Sequence, residues 1–193
     1  YISLEWKIGI NFMIKILIFL HGTVWIHKSA MGKSRGEIVE QVKRQEESIR
    51  DFKSYLPIGK APEKLQKWVE QGAKISYLSA LTQEKKARGD EIVGQKGLEQ
   101  EKELLWKYGF PKGKIYHRQH KKTYAQIAER ILPDILIEDD CESIGGEKEM
   151  TSTFIKPEIK RKIKSIVIKE FSGIDYLPDS LEKLRNDETW IPD

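Results

Sequence analysis

An apolar run near the start of the chain constrains its fold more than any other feature. Residues 14–20 read Ile-Lys-Ile-Leu-Ile-Phe-Leu and lead directly into His21-Gly22-Thr23. Such a run of apolar and β-branched residues is typical of a strand that is buried on both faces of a parallel sheet. The wider stretch 8–26 is interrupted by lysine, histidine and glycine residues, so it fits neither a membrane-spanning helix nor a signal peptide. We therefore predict a buried strand that delivers the His-Gly-Thr turn to the sheet edge.

Segments typical of strands and of helices alternate along the rest of the chain. Four further apolar segments have the composition of strands: 74–79, 114–117, 134–138 and 165–169. Helices are predicted at 33–53, 62–71, 98–108 and 123–132, with a basic helical stretch at 157–164. This alternation predicts an α/β fold, a Rossmann-like three-layer sandwich with a mostly parallel sheet. We expect a single domain over residues 13–193, and an extension at residues 1–12 that has no part in the fold.

The composition limits the partners that the chain is expected to have. Its 193 residues can bury a proper core, and 34 basic and 30 acidic residues are largely interspersed, giving a net charge of +4. A dedicated nucleic-acid binder usually concentrates its basic residues on one face, so nucleic acid is not the expected partner, and neither is a membrane. The single cysteine, Cys141, excludes an internal disulfide and favours a reducing compartment, so we expect a cytoplasmic protein.

The ends of the predicted strands hold most of the candidate site residues. Parallel sheets bind ligands beyond the carboxyl ends of their strands. The residues delivered there are His21-Gly22-Thr23, Ser79-Ala80, the basic loop 118–122 and Glu138-Asp139-Asp140. Three adjacent carboxylates repel one another, so a cation, a basic side chain or a shifted pKa is expected beside them. Backbone amides of the turn at residues 143–146, together with water, are the structural alternative.

The order of these features resembles the four motifs of the haloacid dehalogenase (HAD) superfamily, over about residues 14–171. A Gly-Thr turn follows the first strand, a serine ends the second, a lysine precedes a helix, and an acidic pair follows a later strand. The stretch 56–79 is similar to the superfamily's approach to its second motif, with a Pro-Ile-Gly turn, a helix, a glycine and a strand ending in serine.

The resemblance implies a role for each matching residue. The segment at about 27–54, with its helix, would take the place of a small helical cap. Lys122 would neutralise charge around the phosphate, and Asp139 and Asp140 would hold Mg²⁺. The residues implied to contact the phosphoryl group are Gly22, Thr23, Ser79, Ala80 and Lys122.

The first motif departs from the superfamily pattern at two positions. Phe19 stands where the superfamily has its nucleophilic aspartate, and it can neither attack phosphorus nor ligate a metal. His21 stands where the acid/base aspartate is found, and an imidazole can exchange protons near neutral pH or accept a phosphoryl group. The loss of one carboxylate also removes an oxygen ligand for Mg²⁺. Phosphoaspartyl chemistry is therefore not expected.

Three functions follow as hypotheses. The first is a HAD-like phosphohydrolase acting on a small phosphorylated metabolite, with His21, Asp139 and Asp140 as catalytic residues. The second is a non-catalytic module that keeps the pocket to bind a ligand or a protein. The third is an RNA-associated protein that uses the basic loop 118–122 and the lysine-rich stretch 156–169.

Overall fold

A five-stranded parallel sheet forms the centre of the computed structural model, which describes residues 13–46, 52–82, 91–92, 95–118 and 122–186. The sheet order is β7-β4-β1-β8-β9, and every neighbouring pair is parallel. In chain order the strands are β1 (Ile14–Phe19), β2 (Trp25–His27), β3 (Tyr55–Pro57), β4 (Ala73–Ser79), β5 (Leu81–Thr82), β6 (Glu91–Ile92), β7 (Lys114–His117), β8 (Ile135–Asp139) and β9 (Lys164–Ile168). This arrangement confirms the predicted α/β fold with a parallel sheet.

Helices cover both faces of this sheet. They are α1 (Arg35–Lys43), α2 (Ala61–Glu70), α3 (Gln95–Lys107), α4 (Tyr124–Ile131), α5 (Pro157–Lys160) and α6 (Leu181–Asn186). Alternate residues of β1 belong to different cores: Ile16 and Ile18 pack with Leu65 of α2, whereas Leu17 packs with Ile127 of α4. Because both faces are buried, β1 is apolar at almost every position. Among the described residues, no helix is long and apolar enough to span a bilayer.

The predicted elements agree with the structure to within a few residues in most of the chain, and three helical segments differ. The expected helix at 33–53 ends early, because Arg44 caps α1 and Gln45 takes a positive φ of 52°. Within the predicted basic stretch 157–164, α5 is a single four-residue turn. The sequence prediction also missed α6, whose Leu184 is buried in the core against the same face as α2.

A two-stranded antiparallel ribbon follows β1 on the carboxyl side of the sheet. β2 pairs with β3, so the segment 28–54 is an insertion between two hydrogen-bonded strands. The described part of this insertion contains a short 3-10 turn (Lys28–Ala30), α1, and a second 3-10 turn (Phe52–Ser54). Ser34 begins α1 with a capping box in which Ser34 and Glu37 exchange side-chain and backbone hydrogen bonds. The predicted extension at 1–12 lies outside the described residues, as do residues 47–51 of the insertion.

Candidate functional site

The strand order places a topological switch point at the carboxyl end of β1. The chain moves outward from β1 through β4 to β7 on one side, and through β8 to β9 on the other. Crevices for ligands in parallel sheets open where the order reverses in this way. The residues that follow β1 and β8 therefore define the candidate site.

Gly22 and Thr23 hold the side chain of Asp139 at this switch point. Thr23, which is buried, donates a hydrogen bond from Oγ1 to Asp139 Oδ2 at 2.7 Å. Gly22 has φ +84°, and a Cβ there would lie 2.9 Å from the same Oδ2 atom. Glycine is therefore required both by the left-handed backbone and by the close approach of the carboxylate. The Gly-Thr turn contacts an acidic side chain directly.

Asp139, Asp140 and Glu170 bring three carboxylates together. One oxygen from each lies within 4.8 Å of the others, and they are the only such group of potential metal ligands in the described part of the chain. Glu170 was missed from the sequence; it follows β9 by two residues and reaches back to the neighbouring strand end. Its carboxylate accepts hydrogen bonds from the backbone amide and the hydroxyl of Ser143, both at 2.6 Å. Its own backbone amide donates to Asp140 Oδ1 at 3.1 Å.

The pKa values in this cluster show the cost of crowding buried carboxylates. Burial, followed by repulsion from Glu170, raises the pKa of Asp139 to about 7. Burial also raises the pKa of Glu170, against the opposing effect of its hydrogen bonds from Ser143.

The third predicted carboxylate, Glu138, does not belong to the cluster. It accepts bonds from the amides of Thr151 and Ser152 at 2.6 and 2.8 Å, which is a structural role.

The three carboxylates fit a small hard cation. Mg²⁺ binds oxygen at about 2.0–2.1 Å, so oxygens on opposite sides of the ion stand about 4.2 Å apart. The three oxygens lie within 4.8 Å of one another, so small side-chain movements would bring them within reach of one ion. An ionised carboxylate has about four lone-pair positions, so the hydrogen bonds described above leave room for a metal. A cation would also remove the repulsion that raises the pKa of Asp139.

Arg35 reaches this cluster from the insertion. Its Nε donates to the backbone oxygen of Glu170 at 2.9 Å. Its Nη2 donates to the Glu142 carboxylate and lies 3.9 Å from Asp140 Oδ2. Arg35 could not be identified from the sequence, because it is one of many charged residues in a polar stretch.

A second polar cluster lies on the other side of β1, around the buried carboxylate of Glu101 on α3. Ser79, which is fully buried, donates from its hydroxyl to Glu101 Oε1 at 2.7 Å. Glu101 Oε2 lies 3.1 Å from His117 Nε2, and Oε1 lies 3.7 Å from His21 Nε2. The cluster thus joins the ends of β7, β4 and β1, and Glu101 was not identified from the sequence.

His21 is enclosed by these neighbours. The backbone amide of Ala80 donates to its Nδ1 at 3.3 Å, so the neutral ring has its proton on Nε2. Nε2 is buried and makes no hydrogen bond with the described residues. The ring also meets the edge of Tyr55 at a centroid distance of 4.8 Å. Burial lowers the pKa of His21, while the Glu101 carboxylate raises it and His117 lowers it.

Phe19 ends β1 within an aromatic contact. Its ring packs edge-on against Tyr124 at a centroid distance of 4.9 Å, and the Tyr124 hydroxyl donates to the backbone oxygen of Ser79 at 2.7 Å. The guanidinium of Arg118 lies 4.7 Å from the centre of the Tyr124 ring. The predicted phosphate ligand Lys122 is exposed ahead of α4, and its neighbours at 119–121 lie outside the described residues.

The predicted site residues therefore fall into two groups. Thr23, Gly22, Asp139 and Asp140 lie together on the β8 side of the switch point. Ser79, Ala80 and His21 lie together on the β4 side. Comparisons with protein-family models, with curated proteins and with solved structures found no match for this chain.

Proposed function

We propose that this chain is a HAD-like phosphohydrolase with a non-standard site, which binds a small phosphorylated molecule together with a divalent cation. The observation that supports this most is the meeting of Asp139, Asp140 and Glu170 beside the Gly-Thr turn, at the switch point of a parallel sheet. The sheet order and the insertion between β2 and β3, in the position of a small cap, agree with the resemblance in the sequence.

The carboxylates of Asp139, Asp140 and Glu170 would hold the cation. A bound divalent cation supplies charge neutralisation to a phosphate ester and orients it for attack. Thr23 fixes the Asp139 carboxylate through its hydroxyl, and the amide of Cys141 donates to the other oxygen at 3.0 Å. Without a cation Asp139 would be about half protonated at pH 7, since burial and repulsion from Glu170 raise its pKa to about 7, so cation binding would release protons.

Water is the proposed nucleophile. Phe19 has no group that can attack phosphorus, and its ring is packed against Tyr124. Both nitrogens of His21 are enclosed, one by the Ala80 amide and the other by burial opposite Glu101. In the proposed reaction a water oxygen bonds to phosphorus while the ester P–O bond breaks, and the leaving alcohol takes up a proton. His21 stays a candidate for the proton transfer.

Turnover of a panel of phosphate monoesters tests this proposal. We expect hydrolysis that requires Mg²⁺ or Mn²⁺, is stopped by a chelator, and falls by at least about a hundredfold in Asp139→Asn. Glu158→Gln is the matched control, since it makes the same kind of change at an exposed carboxylate on α5. An Asp139→Asn variant that retains full metal-dependent turnover would contradict the assignment. His21→Ala with unchanged turnover would remove His21 from the mechanism.

A non-catalytic binding module is the second candidate, and Phe19 and His21 are the observations that favour it. The aromatic packing of Phe19 and the enclosed ring of His21 leave no side-chain nucleophile at the end of β1. Cation and phosphate binding without turnover of any ester would favour this candidate over hydrolysis.

A further inference from the structure

Arg35 belongs to the insertion between β2 and β3, and its positive charge lies beside the carboxylate cluster. It is the first residue of α1, within the insertion between β2 and β3, and the Ser34–Glu37 capping box fixes the start of that helix. Its Nε is anchored on the backbone oxygen of Glu170, two residues beyond β9. The guanidinium is thereby held next to Asp140 at 3.9 Å.

The Arg35 guanidinium has N–H donors that these contacts do not use. An arginine has five N–H donors, and the contacts to Glu170 and Glu142 use those on Nε and Nη2. No described residue accepts a hydrogen bond from Nη1, and the side chain is 33% exposed. The two N–H groups of Nη1 are thus open for an oxyanion, and a bidentate edge would become available once Nη2 leaves Glu142.

A phosphate group can replace Glu142 as the hydrogen-bond acceptor of Arg35 Nη2. Glu142 is 46% exposed, and ion pairs between exposed side chains contribute little because solvent screens them. A phosphate dianion offers stronger charge-assisted bonds than this carboxylate does. The Nε bond to a backbone oxygen does not depend on Glu142, so it would hold the arginine in place during the exchange.

We propose that Arg35 is the phosphate-binding residue of this site, taking the phosphoryl oxygens of a phosphate monoester whose other oxygens face the cation held by the carboxylates. This inference rests on the proposed function. Anions are repelled by Asp139, Asp140 and Glu170 alone, so phosphate binding requires both the cation and the guanidinium. The insertion thereby contributes a ligand contact to the switch point of the sheet.

Calorimetric titrations with Mn²⁺, and then with inorganic phosphate in the presence of Mn²⁺, test the inference. In Arg35→Gln we expect phosphate affinity to fall by at least about tenfold, because a charge-assisted hydrogen bond is lost. Mn²⁺ affinity should stay the same or increase, because a competing positive charge is gone. Glu142→Gln should increase phosphate affinity by about two- to fivefold, because it removes the partner that phosphate displaces. Arg44→Gln is the matched control at the exposed end of the same helix and should change neither affinity.

The outcomes separate the two proposals. Phosphate affinity within twofold of the unsubstituted protein in Arg35→Gln overturns the inference and leaves the proposed function standing. Loss of Mn²⁺ binding together with phosphate binding in that variant also overturns it, since Arg35 would then only support the carboxylates. An unsubstituted protein that binds neither Mn²⁺ nor phosphate overturns the proposed function and the inference together.

Discussion

Asp139→Asn should change the pH dependence of folding stability. The amide can replace the carboxylate without losing its partners: its oxygen accepts from the Cys141 amide, and its NH₂ donates to the Thr23 hydroxyl. The substitution therefore removes one titrating group, keeps the bond from Cys141 and reverses the bond with Thr23, a change that does not depend on pH. Any change that depends on pH then reports the charge of Asp139.

The size of the effect follows from the raised pKa. In the folded protein the pKa of Asp139 is about 7, against an ordinary value of 3.8, because burial and Glu170 disfavour the carboxylate. Well below pH 3.8 the residue is protonated in both the folded and the unfolded chain, so the carboxylate has no cost. Between pH 3.8 and pH 7 the unfolded chain is ionised while the folded chain keeps the proton, so stability falls as the pH rises, and the loss is complete once the folded chain ionises above pH 7. The folded state then loses about 4 kcal/mol at 1.36 kcal/mol per pKa unit.

Urea denaturation from pH 4 to pH 8, followed by tryptophan fluorescence, measures this difference. The buried Trp25 and Trp68 report unfolding of the core. We expect Asp139→Asn to gain stability relative to the unsubstituted protein by about 1 kcal/mol per pH unit from pH 4 to pH 7, and the gain to level off at about 4 kcal/mol by pH 8. The lowered pKa of His21 acts in the opposite direction but is common to both proteins.

Two results would refute this reasoning. Stability curves that run parallel from pH 5 to pH 8 would mean that the Asp139 carboxylate is not penalised in the fold. Equal stabilisation of both proteins by Mg²⁺ at pH 8 would mean that the ion binds elsewhere, because the proposed site loses a ligand in Asp139→Asn.

Two further predictions concern the neighbours of this carboxylate and of His21. Glu101→Gln should lower the pKa of His21, because burial and His117 lower that pKa and the Glu101 carboxylate is the charge that raises it. An NMR titration of the imidazole measures this pKa, and an unchanged or higher value would contradict the prediction. Gly22→Ala should destabilise the fold by roughly 1–3 kcal/mol more than Gly72→Ala in thermal denaturation. Both glycines have positive φ, but only at Gly22 would the added Cβ meet Asp139; equal losses would exclude the steric cause.

The strands of the sheet could be predicted because burial on both faces leaves a local signal. β1 is apolar at every position except Lys15, β8 opens with the apolar run Ile-Leu-Ile, and each pairs with its neighbours in the expected parallel sense. The ribbon of β2 and β3 could not be found this way, since three-residue strands are too short for a period to show. The end of α1 at Lys43, before the positive φ of Gln45, likewise depends on a backbone turn that the amphipathic pattern of residues 33–53 does not reveal.

The site was predictable only where its residues follow strands directly. Thr23, Asp139 and Asp140 were expected at strand ends, and they lie together because the carboxyl ends of β1 and β8 are adjacent. Glu170 and Glu101 were missed, since each is one of 30 acidic residues and neither stands in a local pattern. Only the tertiary fold shows that one completes the carboxylate cluster and that the other binds the Ser79 hydroxyl.

The two clusters differ in which hydrogen-bonding groups remain unused and could contact a ligand, and this difference indicates where the proposed reaction would take place. On the β4 side, the one proton of the Ser79 hydroxyl goes to Glu101, and the hydroxyl oxygen accepts from the Leu81 amide at 3.0 Å. Since Ser79 is fully buried, its hydroxyl is committed to these internal bonds. On the β8 side, the carboxylates retain lone pairs and Arg35 retains donors at a partly exposed position. We therefore propose that a phosphorylated ligand would bind above β1 and β8, where Arg35 of the insertion, rather than Lys122 ahead of α4, would be its positive partner.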